Sequence, residues 1–225
     1  MNKKYSTLLI DLDDTLLDFG KAEDSAITRL MQAYGIPVTE ENKKCYVQLN
    51  KSLWKALERG ELTRQELWRI RFIEFFKAMG VEADGEKANS EFMEYISQGG
   101  FIVDGALETC EKLHESYKMY IITNGSKKSQ RGRLTNSPIL KYFDGVFISE
   151  EIGANKPSKE YFDFVFAHID ENDRSRILVV GDSLSSDIAG AVNCGLDSCW
   201  LCRGDEKESP ADYIIYDIRQ LSDIL

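Results

Sequence analysis

The 225-residue sequence predicts an α/β fold: a parallel sheet covered on both faces by helices, with a small α-helical bundle inserted after its first strand. Two observations carry that prediction. Six short apolar runs, rich in Val, Ile and aromatic residues, have the character of strands buried on both sides, and helical patterns separate the later ones. Between the first run and the second lie about a hundred residues, far more than a single crossover helix needs.

The strand candidates are Ser6–Ile10, Met119–Ile122, Val146–Ile148, Ile177–Val180, Cys199–Leu201 and Tyr213–Ile215. Helical patterns run from Gly105 to Ser116, from Lys159 to Ile169 and from Ser186 to Asn193. The long gap divides at Gly35, Gly60, Gly80 and the Gly99-Gly100 pair into four helical segments. Thr63-Arg-Gln-Glu66 has the pattern of a capping box and opens the third. That segment then carries Leu67, Ile70, Phe72, Ile73, Phe75, Phe76 and Met79 over a wide apolar arc, which predicts bundle core rather than a platform for a ligand. Residues 17–99 are therefore expected to form a helical domain, and residues 1–16 with 100–225 the α/β core.

Acidic residues outnumber basic ones by 38 to 28, a formal net charge of -10. That balance argues against nucleic-acid polymers and anionic membranes as partners, since both are bound through basic surface. It leaves room for one small phosphorylated ligand held by a local cation. No apolar run approaches the ~20 residues of a membrane-spanning helix. The apolar segment after Lys3 and Lys4 meets Asp11 too soon for a signal peptide. Five scattered cysteines, an odd number, predict reduced thiols and a cytoplasmic protein. Cys199-Trp-Leu-Cys202 has the spacing of a metal or redox pair, but on a strand residues three apart point to opposite faces, so core packing is expected.

Ligands of open parallel sheets bind beyond the carboxyl ends of the strands. The first strand ends in Asp11-Leu-Asp13-Asp-Thr15, the second in Thr123-Asn124-Gly125, and the fourth in Gly181-Asp182-Ser183 with Asp187 five residues past Asp182. Asn155-Lys156-Pro157 follows the third. Like charges gathered at one sheet edge repel and are costly to desolvate unless something positive sits among them. A hard divalent cation with oxygen ligands answers that need, and Mg²⁺ commonly accompanies phosphates. Lys156 adds a fixed positive charge, and Thr123 with nearby backbone N–H groups adds neutral donors. The set suits a transferring phosphoryl group, whose charge must be balanced as it moves.

"DLDDT", "TNG", "NKP" and "GDSLSSD", in that order, resemble the four motifs of the haloacid dehalogenase-like hydrolases. The helical insert resembles the cap of that superfamily's first cap class, and the core is accordingly expected to be a Rossmann-like three-layer sandwich. More narrowly, "LNKSLW", "ITNG", "YFDGVFISEEIGANKP" and "CGLDSCWL" are similar to the bacterial pyrimidine 5'-nucleotidase branch. The resemblance implies that Asp11 is the nucleophile that forms an aspartyl-phosphate and that Asp13 protonates the leaving oxygen and later deprotonates water. It implies Mg²⁺ on the Asp11 carboxylate, the Asp13 backbone carbonyl and Asp182, with Asp187 supporting that shell or the lysine. Thr123, Asn124 and Lys156 are then expected to hold the phosphoryl oxygens. Superfamily dehalogenases lack an acid at the position of Asp13, so its presence favours phosphatase or phosphomutase.

Three further expectations concern smaller roles. Thr15 is expected to organise the turn after the first strand through its hydroxyl, and Ser183 to support the loop that carries Asp182. In the helical domain, Asn50, Lys51 and Trp54 are the candidates for contact with the leaving group. The implied partner is a small phosphorylated metabolite, a pyrimidine nucleoside monophosphate such as UMP, dUMP or dTMP, and the chain is expected to be a monomer or weak homo-oligomer. Two alternatives stay open. One is a sugar-phosphate phosphatase or phosphomutase of the same superfamily. The other is a receiver-like phospho-acceptor module, which shares the acidic pocket, Thr or Ser, lysine and Mg²⁺, but whose acceptor does not lie on the first strand ahead of a helical insert.

Overall fold

A computed structural model describes residues 4–204 and 208–225. The chain divides into two compact units, one made of Met1–Phe19 with Gly100–Leu225 and the other of Gly20–Gly99.

The first unit is built on six parallel strands: β1 (Thr7–Asp11), β2 (Lys118–Thr123), β3 (Gly145–Ile148), β4 (Ile177–Gly181), β5 (Asp197–Leu201) and β6 (Tyr213–Ile215). Their order across the sheet is β3-β2-β1-β4-β5-β6. Each coincides with a predicted apolar run to within a residue or two, the usual uncertainty of element ends. Period-two alternation explains why the runs are continuously apolar. Leu8, Ile10, Met119, Ile121, Leu178 and Val180 share one buried face, and Leu9, Tyr120, Ile122, Ile177 and Val179 the other. Strand order reverses around β1, where β2 lies on one side and β4 on the other. The crevice at such a switch point is where an open α/β sheet binds its ligand, and Asp11 ends the strand that forms it.

The second unit is helical: α1 (Phe19–Ala33, which starts at the boundary), α2 (Glu40–Glu58), α3 (Arg64–Met79) and α4 (Gly85–Ser97). Thr63 and Glu66 form the expected capping box, each side chain bonded to the other's backbone N–H. Thr39 and Asp84 cap α2 and α4 in the same way from one side. The arc on α3 is core as expected: Phe72, Phe75 and Phe76 are buried, and Tyr46 stacks on Phe72 with ring centroids 5.5 Å apart. Ile73, on the edge of that arc, is exposed.

Helices of the first unit then follow as α5 (Ala106–Leu113), α6 (Lys127–Thr135), α7 (Ser149–Ile152), α8 (Lys159–Phe166), α9 (Ala189–Cys194) and α10 (Leu221–Ile224). α5 and α10 pack on one face of the sheet, and α8 and α9 on the other, giving three layers. One helix differs from expectation: the stretch from Ser186 begins as a π-helical turn, Leu184–Ile188, before α9. All five cysteines are free. Cys199 and Cys202 lie in separate apolar clusters, as opposite-face residues must. Among the described residues no helix is long and apolar enough to cross a membrane.

Candidate active site

Three strand ends and the loop after α7 deliver the site. Asp11, the last residue of β1, is buried, and its Oδ1 accepts a hydrogen bond from Lys156 Nζ at 2.6 Å. The same ammonium donates to Asp187 Oδ1 at 2.6 Å and to the carbonyl of Ile122 at 3.1 Å, so all three of its donors are used. A lysine with 2% exposure is tolerable only when paired in this way. Burial by itself would lower the Lys156 pKa, but Asp11 and Asp187 outweigh it and raise it. The lysine is a permanent cation here.

Asn124 holds that lysine in register. Its side-chain oxygen accepts from Lys156 N at 2.8 Å and its amide donates to Lys156 O at 2.9 Å, two bonds that latch the β2 end to the loop after α7. Thr123 is buried at the end of β2, where its N–H donates to the Tyr161 hydroxyl at 3.0 Å. Tyr161 donates in turn to Phe147 O at 2.7 Å. Both polar atoms of the Asn124 side chain are thus bonded to the Lys156 backbone.

The fourth strand end is shaped by the π turn. Ser183 Oγ caps it by accepting from Ser186 N, and Ser183 N donates to Asp187 Oδ2 at 3.1 Å. Gly181 is required here, because a Cβ would stand 2.2 Å from Asp187 Oδ2. The wider turn carries Asp187 back to face Lys156, a use of π-turns common at functional sites.

One oxygen each of Asp11, Asp182 and Asp187 lies within 4.8 Å of the others. Burial, and then the neighbouring carboxylates, drive the Asp11 pKa well above its ordinary value against the pull of Lys156. Burial with Asp187 and Asp14 pushes Asp182 up to about 7. Three carboxylates against one lysine leave two negative charges to balance, and the donors are all hard oxygens. A divalent cation such as Mg²⁺ fits both the charge and the chemistry of this donor set.

A pH dependence follows. A carboxyl with a raised folded-state pKa gives stability that is fully present below its ordinary value and is lost as pH rises through the raised one. For Asp182 that window runs from 3.8 to about 7. In chelator, the Tm is expected to fall as pH rises through that window, to fall less in Asp182→Asn, and to recover on adding Mg²⁺. Thermal unfolding with and without Mg²⁺ checks this.

Asp13 stands apart from the three-carboxylate cluster. Its two oxygens accept from Arg133 Nη1 and, at 2.6 Å, from Gln130 Nε2, both on α6. Gln130 Nε2 also donates to Thr123 Oγ1 at 2.7 Å. Neither Gln130 nor Arg133 figures in the sequence reading. Asp14 adopts φ 57°, a left-handed conformation that aspartate tolerates, and its Oδ1 accepts from Phe19 N at 2.9 Å. Thr15 corrects an expectation: it is wholly buried, yet its hydroxyl has no hydrogen-bond partner among the described residues. Backbone bonds close the turn instead, from Leu16 N and Leu17 N to Leu12 O and from Asp14 N to Leu17 O.

On α2, Asn50 is buried, with its amide donating to Glu23 at 2.6 Å and its oxygen accepting from Arg71 at 3.3 Å. Arg71 also donates to Asn89, so Asn50 belongs to a polar cluster inside the helical unit. Lys51 is exposed on the same helix and Trp54 is half-buried.

The fold and the site together match a known family. Residues 5–195 match the model of the haloacid dehalogenase-like hydrolases. The chain belongs to that family and is an enzyme of the hydrolase class. It is 36% identical over 225 residues to the pyrimidine 5'-nucleotidase PynA of Streptococcus pneumoniae, covering 98% of this chain and 95% of that one. It is 33% identical over 207 residues to the pyrimidine 5'-nucleotidase YjjG of Escherichia coli, covering 92% and 90%. A crystal structure of the hydrolase YfnB from Bacillus subtilis, bound to magnesium, superposes with a TM-score of 0.94 at 38% identity, covering 99% of each chain.

Proposed function

We propose that this phosphoric monoester hydrolase is a 5'-nucleotidase acting on pyrimidine nucleoside monophosphates, with Mg²⁺ as cofactor and an aspartyl-phosphate on Asp11 as intermediate. The observation that carries the reaction class is the convergence of Asp11, Thr123 and Asp182 at three strand ends with Lys156 from the loop after α7, and with Asp13 two residues past the nucleophile. The similarity to PynA and YjjG across nearly the whole chain supports the substrate class.

In this reading an Asp11 oxygen bonds to phosphorus while the bond to the leaving oxygen breaks, and Asp13 gives that oxygen a proton. Water then attacks the phosphorus of the intermediate, Asp13 takes its proton, and phosphate leaves with Asp11 restored. Thr123 and Lys156 orient the phosphoryl oxygens throughout. Asp11, the Asp13 carbonyl and Asp182 would hold Mg²⁺, which supplies positive charge to the transferring group. Asp187 keeps Lys156 in place. The helical unit is assigned the choice of leaving group, with Lys51 and Trp54 as the positions to vary, since Asn50 is buried against Glu23 and Arg71. Free cysteines support a reducing compartment, the cytoplasm.

Phosphate release from UMP, dUMP, dTMP, AMP, GMP and several sugar phosphates, with Mg²⁺ and with chelator, tests the proposal. Preference for the pyrimidine nucleotides, abolished by chelator, is expected. Faster release from sugar phosphates would keep the chemistry and overturn the substrate. Asp13→Asn is expected to fold and to lower kcat/KM for UMP by about 10² to 10⁴, the worth of a general acid for an alkoxide leaving group. Near-unchanged turnover by that variant would remove Asp13 from its role.

A further inference from the structure

We propose that Arg133 and Gln130 are positioning residues for Asp13, a clamp that aims its carboxylate at the leaving oxygen. The inference rests on the phosphomonoesterase reading above.

Both residues lie on the inward face of α6, spaced three apart, and both are buried, Arg133 completely. Arg133 donates through Nη1 to Asp13 Oδ1 and, at 3.3 Å, to Gln130 Oε1. Gln130 Nε2 bridges Asp13 Oδ2 and Thr123 Oγ1 at 2.6 and 2.7 Å. The proton-transferring carboxylate and the phosphoryl-holding hydroxyl therefore share one donor. Gly125 leaves space for this bridge, since a Cβ there would stand 2.2 Å from Gln130 Nε2. Helix packing alone does not call for it. Apolar side chains at these two positions would bury without the desolvation penalty that a guanidinium carries.

A carboxylate has about four lone-pair sites, and the clamp occupies one on each oxygen. With rotation of the carboxylate fixed, a remaining lone pair is presented where the proton is exchanged. As Asp11 bonds to phosphorus and the phosphorus–oxygen bond to the leaving group breaks, the electron pair left on that oxygen takes the proton of the Asp13 carboxyl. Arg133 and Gln130 then bind the carboxylate that remains, ready to take a proton from water in the second step.

The test compares an alkyl ester, UMP, with an aryl ester, p-nitrophenyl phosphate, whose leaving group departs without a proton. The quantity read is kcat/KM, which reports steps up to departure of the leaving group. In Arg133→Met the loss on UMP is expected to exceed the loss on p-nitrophenyl phosphate by about tenfold or more, a general-acid effect. Arg133→Lys is expected to recover part of that difference. Adding Arg133→Met to Asp13→Asn is expected to cost little beyond Asp13→Asn alone, because the clamp acts through Asp13. Should Arg133→Met fail to fold, Gln130→Met and Arg133→Lys carry the same comparison. Equal losses on the two esters, or losses that multiply with Asp13→Asn, would overturn the clamp. If the unmodified chain gave no multiple turnover on either ester, the phosphomonoesterase reading itself would fall, and the clamp with it.

Discussion

Asp11→Asn is expected to lower phosphate release by about 10⁴-fold or more, since it removes the atom that bonds to phosphorus and no neighbouring group replaces it. Stability is expected to move the other way. Burial is the largest influence on Asp11, and it disfavours the charged form, as do Asp187 and Asp182 beside it; Lys156 opposes them. Asparagine has the same shape and no charge to desolvate. The Tm of Asp11→Asn in chelator is therefore expected to equal or exceed that of the unmodified chain. Phosphate release and thermal unfolding of the same preparation check both halves. A variant that lost activity together with its fold would leave Asp11 with a structural role instead.

Lys156→Met carries the second large effect, and here activity and stability fall together. Among the described residues the ammonium is the only cation donating to both Asp11 and Asp187, and it is nearly inaccessible to water. Its removal leaves two buried carboxylates facing each other with no counter-charge. Breaking a buried ion pair from one side costs about 3–5 kcal/mol, a drop in Tm on the order of 10 °C for a chain of this size. The backbone latch to Asn124 survives the substitution, so the loop stays in place and the loss reads the ammonium alone. Mg²⁺ is expected to restore part of the Tm and little of the activity, because the ion supplies charge to the carboxylates and leaves the phosphoryl oxygens without their lysine.

Sequence and structure agree where the chemistry is local and periodic. The strands were legible because both faces of each are buried, which makes every position apolar. The site was legible because Asp11, Thr123 and Asp182 stand at strand ends, where the fold class directs attention, and Lys156 lies in the segment that follows the third strand. Four features escaped. The segment Lys-Lys-Ser-Gln-Arg-Gly-Arg is so polar that it suggests a solvated helix, and only the spacing of Ser126, Ser129, Gln130, Arg133 and Leu134 marks a buried stripe. The π turn at Leu184–Ile188 has no sequence signature of its own, since the short helix that follows it is too brief for a shift in helical phase to show. The Thr15 hydroxyl was assigned to a turn that the backbone closes without it. In the helical unit, Asn50 was read as a candidate for contact with the leaving group, but its burial against Glu23 and Arg71 depends on residues that are distant in sequence.

The central claim, phosphoryl transfer to Asp11 at the end of β1, is tested most directly by trapping. Acid quench during Mg²⁺-supported turnover of UMP, followed by borohydride reduction and peptide mass spectrometry, reads which carboxylate carries phosphate. The expected result is modification confined to the peptide bearing Asp11, present during turnover and absent in chelator. Sustained phosphate release with no modification at Asp11 would contradict it.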